Sequence, residues 1–292
     1  MTHDMTPIEV FDHLEPQTFM KQYYRPSRPV ILRDLSKPWP ARDNWNMEYM
    51  RKRLGEIEVP LFKTGTFDPS APVNAPHTRM RFSDYLDLFE RGTDLRVFLL
   101  NPLKLNRSLA QDFSTPSLVD GFINSFPTLF FGARDARVFL HYDIDMSHVF
   151  HTQFVGRKKV VLFAPQDSVP LYKVPFSVRS FMDNDPERID FAQLPAMRYA
   201  RGFEATLMHG DTLFIPSGWW HHMRYIDNGF ALSQRAVPRS WQQRMIAANN
   251  LFLIRPLESA LRKLGGESWR QFKHRVALRR GLALVRRMEA LS

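Results

Sequence analysis

From Arg137 to about Pro238 the chain is built of short apolar runs, FLHYDI, VFHTQFV, KKVVLFAP, LYKVPFSV, FEATLMHGDTLFIP, WWHHMRYI and FALSQRAV, separated by Gly, Pro, Asp and Asn. Runs of this length, rich in β-branched and aromatic residues and bounded by turn formers, predict the strands of a sandwich or barrel. In FLHYDI, alternation places Phe139 with His141 and Asp143, and Leu140, Tyr142 and Ile144 on the other face. With apolar residues on both sides, this strand is expected to be buried twice over, inside a double-layered β roll.

The flanks read differently. DHLEPQTFMKQYYR predicts a helix that runs into an extended RPVILRDL after Pro29. Trp39 to Arg42 reads as a turn. Asn46 is placed to cap a helix that ends at Leu54 before Gly55, and EIEVPLF follows as a strand. PSAPVNAPH is a Pro-rich loop, Ser83 caps SDYLDLFERG, LRVFLL is a strand, and a short helix is expected from Thr115. This first third is expected to buttress one side of a sheet. Beyond Trp241, apolar residues recur at steps of three and four with arginines between them, which predicts helices.

Composition narrows the chemistry. At 292 residues and 44% hydrophobic content, the chain affords one large β-rich domain. We divide it at 240: residues 1–114 as an α/β buttress, 115–240 as the β core, and 241–292 as a basic helical segment. Without cysteine there is no disulfide, zinc-thiolate or iron-sulfur site, so a metal must be held by His, Asp or Glu. No basic segment followed by an apolar one opens the chain, and no apolar run approaches the roughly 20 residues of a membrane helix. A cytoplasmic protein is expected. The formal charge of +10 sits in the tail, where residues 241–292 carry 11 Lys and Arg against 3 Asp and Glu and leave a net +2 for the rest.

The candidate chemistry lies in HYD and in GDTLFIPSGWWHHM. A strand puts residues i and i+2 on one face, so His141 and Asp143 point together. By itself such a pair is ordinarily a buried histidine bonded to a carboxylate. A third group from a second strand changes that reading. Alternation sets Trp219, His221, Met223 and Tyr225 on one face and Trp220, His222 and Arg224 on the other; because Arg224 should seek solvent, His221 is expected to point inward. Asp145 is the rival carboxylate. Two histidines and one carboxylate on one side of an ion leave positions open opposite them, the arrangement of non-haem Fe(II) oxygenases.

HYD, QFVGRKKVVLFAP and GDTLFIPSGWWHH resemble the Jumonji C and cupin-like Fe(II)/2-oxoglutarate oxygenases, in particular the small hydroxylase branch that includes an asparaginyl hydroxylase and the tRNA wybutosine hydroxylase. The resemblance runs over roughly residues 8–240 and includes RPVILRDL and NWNMEYMRKRLG. It implies a mainly β fold with flanking helices, a double-stranded β-helix (cupin or jelly roll) core, Fe(II) on His141, Asp143 and His221, and 2-oxoglutarate and dioxygen as co-reactants. It also implies that Lys158 pairs with the distal carboxylate of the cosubstrate, with Arg235 as the rival anchor. Two departures stand out: Val138 where the family often has Thr or Ser, and Val149 where Asn is common. His151 or Ser147 would compensate, and Ser233 lies where the last strand often supplies a polar group. The cofactor set implied is therefore Lys158, Ser233 and His151.

The reaction implied is hydroxylation of a protein or peptide side chain, with tRNA or a small molecule as the alternative substrate. A non-catalytic cupin used for binding is the rival from another class. The loop from Asp167 to Asp190 is expected to cover part of the pocket. The tail is read as a homodimer element through Leu251, Phe252, Ile254, Leu257 and Leu261, or as a contact for RNA through its arginines.

Overall fold

The computed structural model describes residues 5–63, 76–181, 186 and 188–291; all but the last two residues of PSAPVNAPH lie outside these. Fourteen strands among them form two sheets. In chain order they are β1 (Thr6–Pro7), β2 (Val10–Phe11), β3 (Val30–Leu32), β4 (Glu58–Lys63), β5 (Thr78–Arg81), β6 (Leu95–Leu100), β7 (Thr128–Gly132), β8 (Arg137–His141), β9 (His148–Val155), β10 (Lys158–Phe163), β11 (Gly202–Leu207), β12 (Thr212–Ile215), β13 (Trp220–Tyr225) and β14 (Gly229–Ala236). The smaller sheet has the order β1-β11-β10-β13-β8, and the larger β2-β3-β12-β9-β14-β7-β6-β4-β5.

Strands β7 to β14 supply four neighbours to each sheet, which is a double-stranded β-helix: mainly β, with helices outside it. Its interior is apolar at one level, where Val149, Val160, Leu162, Leu207, Leu213, Ile215, Trp219 and Met223 pack together. The opposite face of the larger sheet is covered by α2 (Pro40–Asn44), α3 (Met47–Leu54) and α4 (Phe82–Arg91); Met50, Leu54, Phe82 and Tyr85 of α3 and α4, with Trp45 just after α2, meet Phe131, Phe154 and Phe230. A helix α1 (Pro16–Phe19), continued as a π turn to Tyr24, seats Phe19 and Tyr24 against Phe150 and Phe214 farther along the same face. Each fully buried aromatic of this kind is worth roughly 1.5–3 kcal/mol.

The N-terminal third does more than brace one side. Its β2 and β3 extend one edge of the larger sheet, β4 to β6 extend the other, and β1 joins the smaller sheet. Asn46 accepts from the Tyr49 amide as a cap, whereas α4 begins at Phe82 with no side-chain cap, so Ser83 lies inside the helix. Three local expectations fail. Trp39–Arg42 is entered by α2, because Pro40 is pre-set for a first helical turn. Residues after Thr115 hold turns in place of a helix, the short α5 (Pro102–Leu105) and a 3-10 turn having come earlier. LYKVPFSV is a looped segment in which Tyr172 and Phe176 take positive φ, although it contributes buried apolar side chains.

The tail packs on the outside of the smaller sheet. It comprises α6 (Trp241–Asn249), capped by Ser240, a π turn over Asn250–Ile254, and α7 (Arg255–Glu289), which breaks at Gly266. Ala277 of α7 enters a cluster with Leu140, Tyr142, Val161, Phe163, Tyr172 and Trp220. A Cβ on Gly281 would lie 2.2 Å from the Tyr172 ring, so the helix approaches there because glycine has none. Among the described residues, no helix is long and apolar enough to cross a membrane.

Candidate metal centre

His141 ends β8 directly opposite His221 of β13. The rings lie 4.2 Å apart between centroids, and ligand atoms of His141, Asp143 and His221 all fall within 4.8 Å of one another. In both imidazoles Nδ1 is turned to a main-chain carbonyl, of Phe139 at 2.9 Å and of Trp219 at 3.1 Å. A carbonyl only accepts, so Nδ1 carries the proton and Nε2 keeps its lone pair for an ion. Burial pushes His141 well below its usual range, reinforced by His221 beside it, and burial also lowers His221. Neutral imidazole is the form a metal needs.

Asp143 lies just past the end of its strand, where the chain turns through Met146 with φ +52°. Burial by itself would raise its carboxyl, but the Arg235 guanidinium, through its charge and its hydrogen bond, opposes this and holds it well below the usual carboxylate range. Arg235 Nη2 donates to Asp143 Oδ1 at 3.0 Å, and Nη1 donates to Asp145 at 3.2 and 3.4 Å. Two unprotonated nitrogens and an ionised oxygen, converging from strand ends, fit a divalent transition metal; oxygen-only cations such as Mg²⁺ would be ill served by the imidazoles.

Farther along the interior, a second set converges. Lys158 heads β10 and faces inward with Val160 and Leu162. Its Nζ is 3.0 Å from His151 Nε2 and 4.3 Å from the centroid of Tyr225. An ammonium only donates, so Nε2 accepts and Nδ1 bonds to Ser233 Oγ at 2.7 Å, Ser233 being the register partner of His151 across β9 and β14. Lys158 is 1% exposed, and burial drives it well below its ordinary value. Burial likewise lowers His151, with the Lys158 charge adding to it. A surface groove of about 600 Å³ lined by Lys21, Arg25 and Arg239 shares no residue with either set.

The profile of the cupin-like domain family matches residues 16–249, which is most of the chain and the whole of the double-stranded β-helix just described. The chain belongs to the cupin-like domain family. Among its relatives are a lysine-specific demethylase of Arabidopsis thaliana, JMJ21, 25% identical over 242 residues, and another, JMJ31, 26% identical over 239. These alignments take in 75% and 67% of the chain, but only 24% and 43% of the relatives. The tRNA wybutosine-synthesizing protein 5 of Gallus gallus is 26% identical over 247 residues, covering 77% of the chain and 76% of that protein.

Within this cupin-like frame the sequence-based candidates fall into two groups. His141, Asp143 and His221 come together as one cluster, and Lys158, His151 and Ser233 as one hydrogen-bonded chain. Ser147 joins neither; its hydroxyl and amide both go to Asp145. Arg235 is occupied by Asp143 and Asp145, which removes it as a free anchor. The reason for preferring His221 to His222 also needs correction: the outer face of β13 is covered by Ala277 of the tail and by Leu171, Tyr172, Leu194 and Met197, and His222 is buried too, at 2% exposure. Sequence reasoning missed Tyr225 beneath Lys158 and the pairing of Arg235. The first follows from the alternation that selected His221; alternation also puts Arg235 on the inward face of Ser233, but it does not name the carboxylates that Arg235 meets there.

Proposed function

We propose that this protein is an Fe(II)- and 2-oxoglutarate-dependent oxygenase that hydroxylates a protein or peptide side chain. The observation carrying this reading is Lys158, a buried ammonium with no carboxylate among its described partners, on the same interior as a two-histidine, one-carboxylate cluster. Burying a charge costs several kcal/mol. A desolvated cation–π contact returns about 2 kcal/mol or more and a hydrogen bond to a neutral imidazole about 1.5–3 kcal/mol, but neither brings an opposing charge to the ammonium. The balance favours a site that waits for a carboxylate.

In this reading His141, Asp143 and His221 would hold the iron, leaving positions open for the cosubstrate and dioxygen. The bound iron would supply the oxidative chemistry. Lys158 would take the distal carboxylate of 2-oxoglutarate, and His151, held by Ser233, would shape the same end. Val138 and Val149 replace the polar contacts common in the family with apolar walls, packed with the buried Trp219 and Met223. The domain division at 240 and the cytoplasmic setting stand as parts of the same proposal. Of the residues expected at a dimer face, Phe252 and Leu257 are exposed while Leu251, Ile254 and Leu261 are half-buried; we further read Phe252 and Leu257, with the exposed Leu253, as the face of a homodimer.

A tRNA substrate is the second reading. It is favoured by Arg275, Arg279 and Arg286, which share the solvent side of α7, opposite Ala277 and Gly281. The test of the main reading is succinate release from 2-oxoglutarate with Fe(II) and dioxygen. The wild type is expected to release succinate, and Asp143→Ala to lose at least 100-fold. No iron-dependent succinate from the wild type, or full activity in the variant, would sink the assignment.

A further inference from the structure

The metal cluster contains a weak point. His141 and His221 stand on paired strands with each Nδ1 bonded to a carbonyl, whereas Asp143 follows the end of β8 on a turn. A carboxylate so placed can rotate and chelate through both oxygens, which would consume a position that the chemistry needs open. Beside it lie two charged residues with no part in holding the ion or anchoring the cosubstrate.

Arg235 is 8% exposed and rigidly based. Its residue pairs with Val149 across β9 and β14, and its carbonyl accepts from the Ile123 amide. Its guanidinium spans two carboxylates, with Nη2 on Asp143 Oδ1 and Nη1 on Asp145. Asp145 is steadied separately, by the Ser147 hydroxyl at 3.0 Å and the Ser147 amide at 3.3 Å. A planar fork that engages two carboxylates in fixed directions is a task for arginine; an ammonium is a single point charge.

We infer that Arg235 and Asp145 are positioning residues: Arg235 occupies one oxygen of Asp143, so that the carboxylate meets the ion through the other alone, and Asp145 fixes the angle of Arg235. This rests on the metal-centre reading above. Charge and geometry make opposite demands, which allows the idea to be tested. A guanidinium near a divalent cation repels it, so by charge alone its removal would tighten metal binding. Loss of a group that orients a ligand typically weakens binding 10–100-fold.

Co(II) added to the metal-free full-length chain is the probe, read by calorimetry and by its visible absorption. Arg235→Met is expected to weaken Co(II) binding 10–100-fold and to alter the spectrum as the carboxylate changes its mode. Arg235→Lys keeps the charge without the fork and is expected to show the same altered spectrum. Asp145→Asn, close in shape to the native residue, is expected to lose several-fold in affinity with a spectral shift in the same direction. Circular dichroism checks folding. If Arg235→Met does not fold, Asp145→Asn carries the test, and unchanged affinity and spectrum in it overturn the inference. Tighter or equal binding by a folded Arg235→Met does the same. Failure of the wild type to bind Co(II) overturns the metal-centre reading and the clamp with it, whereas an unchanged variant overturns the clamp alone.

Discussion

In the proposed reading, Lys158 sets stability against binding. Its ammonium is enclosed by Tyr225 and His151 with no opposing charge, so Lys158→Met should stabilise the ligand-free fold by about 1–3 kcal/mol in chemical denaturation while removing 2-oxoglutarate binding. The pH dependence has a definite sign. Burial depresses Lys158 in the folded state, so the unfolded chain binds more protons below the free-lysine value near 10.4. The advantage of Lys158→Met should therefore vanish above that pH, grow as pH falls, and become constant below the folded value. His148 behaves likewise at lower pH. Burial pushes it down to about 4, and its Nδ1 accepts from the Ser217 amide. The fold should thus lose stability as pH falls from about 6.5 towards 4, and His148→Gln should remove part of that slope in acid titrations followed by circular dichroism. Should the variant keep the full slope, His148 is not its source.

At the scale of elements, the tail is fastened by close approach. Gly281→Ala would gain about 0.5–1 kcal/mol of helix propensity, but its Cβ would press on Tyr172, which is buried and whose hydroxyl accepts from the Ala196 amide. Overpacking of this kind costs about 1–3 kcal/mol, so a net loss is expected, seen as a lower melting temperature. A rise would mean that Tyr172 moves aside freely. The same tail touches the turn that carries Asp143, since Asn250 Nδ2 donates to the Ile144 carbonyl at 3.3 Å. Strands β9 to β14 and the grouping of His141, Asp143 and His221 were legible because a period of two, turn residues and one polar face agree over short distances. LYKVPFSV was misread because a segment buried by tertiary contacts can be as apolar as a strand. The pairing of Arg235 was hidden for a different reason: it joins residues about ninety positions apart, and no local pattern encodes that distance.

For the whole molecule, the basic tail and its apolar side make separate predictions. Phe252, Leu253 and Leu264 are 75%, 64% and 87% exposed, and large apolar side chains left to water together mark an interaction surface. Phe252→Glu with Leu253→Glu should shift the protein from dimer to monomer in light scattering, and a wild-type monomer would remove the dimer reading. The central claim is that the interior of the double-stranded β-helix holds a metal and a dicarboxylate side by side. Titrating 2-oxoglutarate into the anaerobic Fe(II)-loaded protein tests it most directly. A visible charge-transfer band that saturates in the wild type and is absent in Lys158→Ala is the expected result. No band in the wild type would contradict the oxygenase reading and leave a cupin that binds something else.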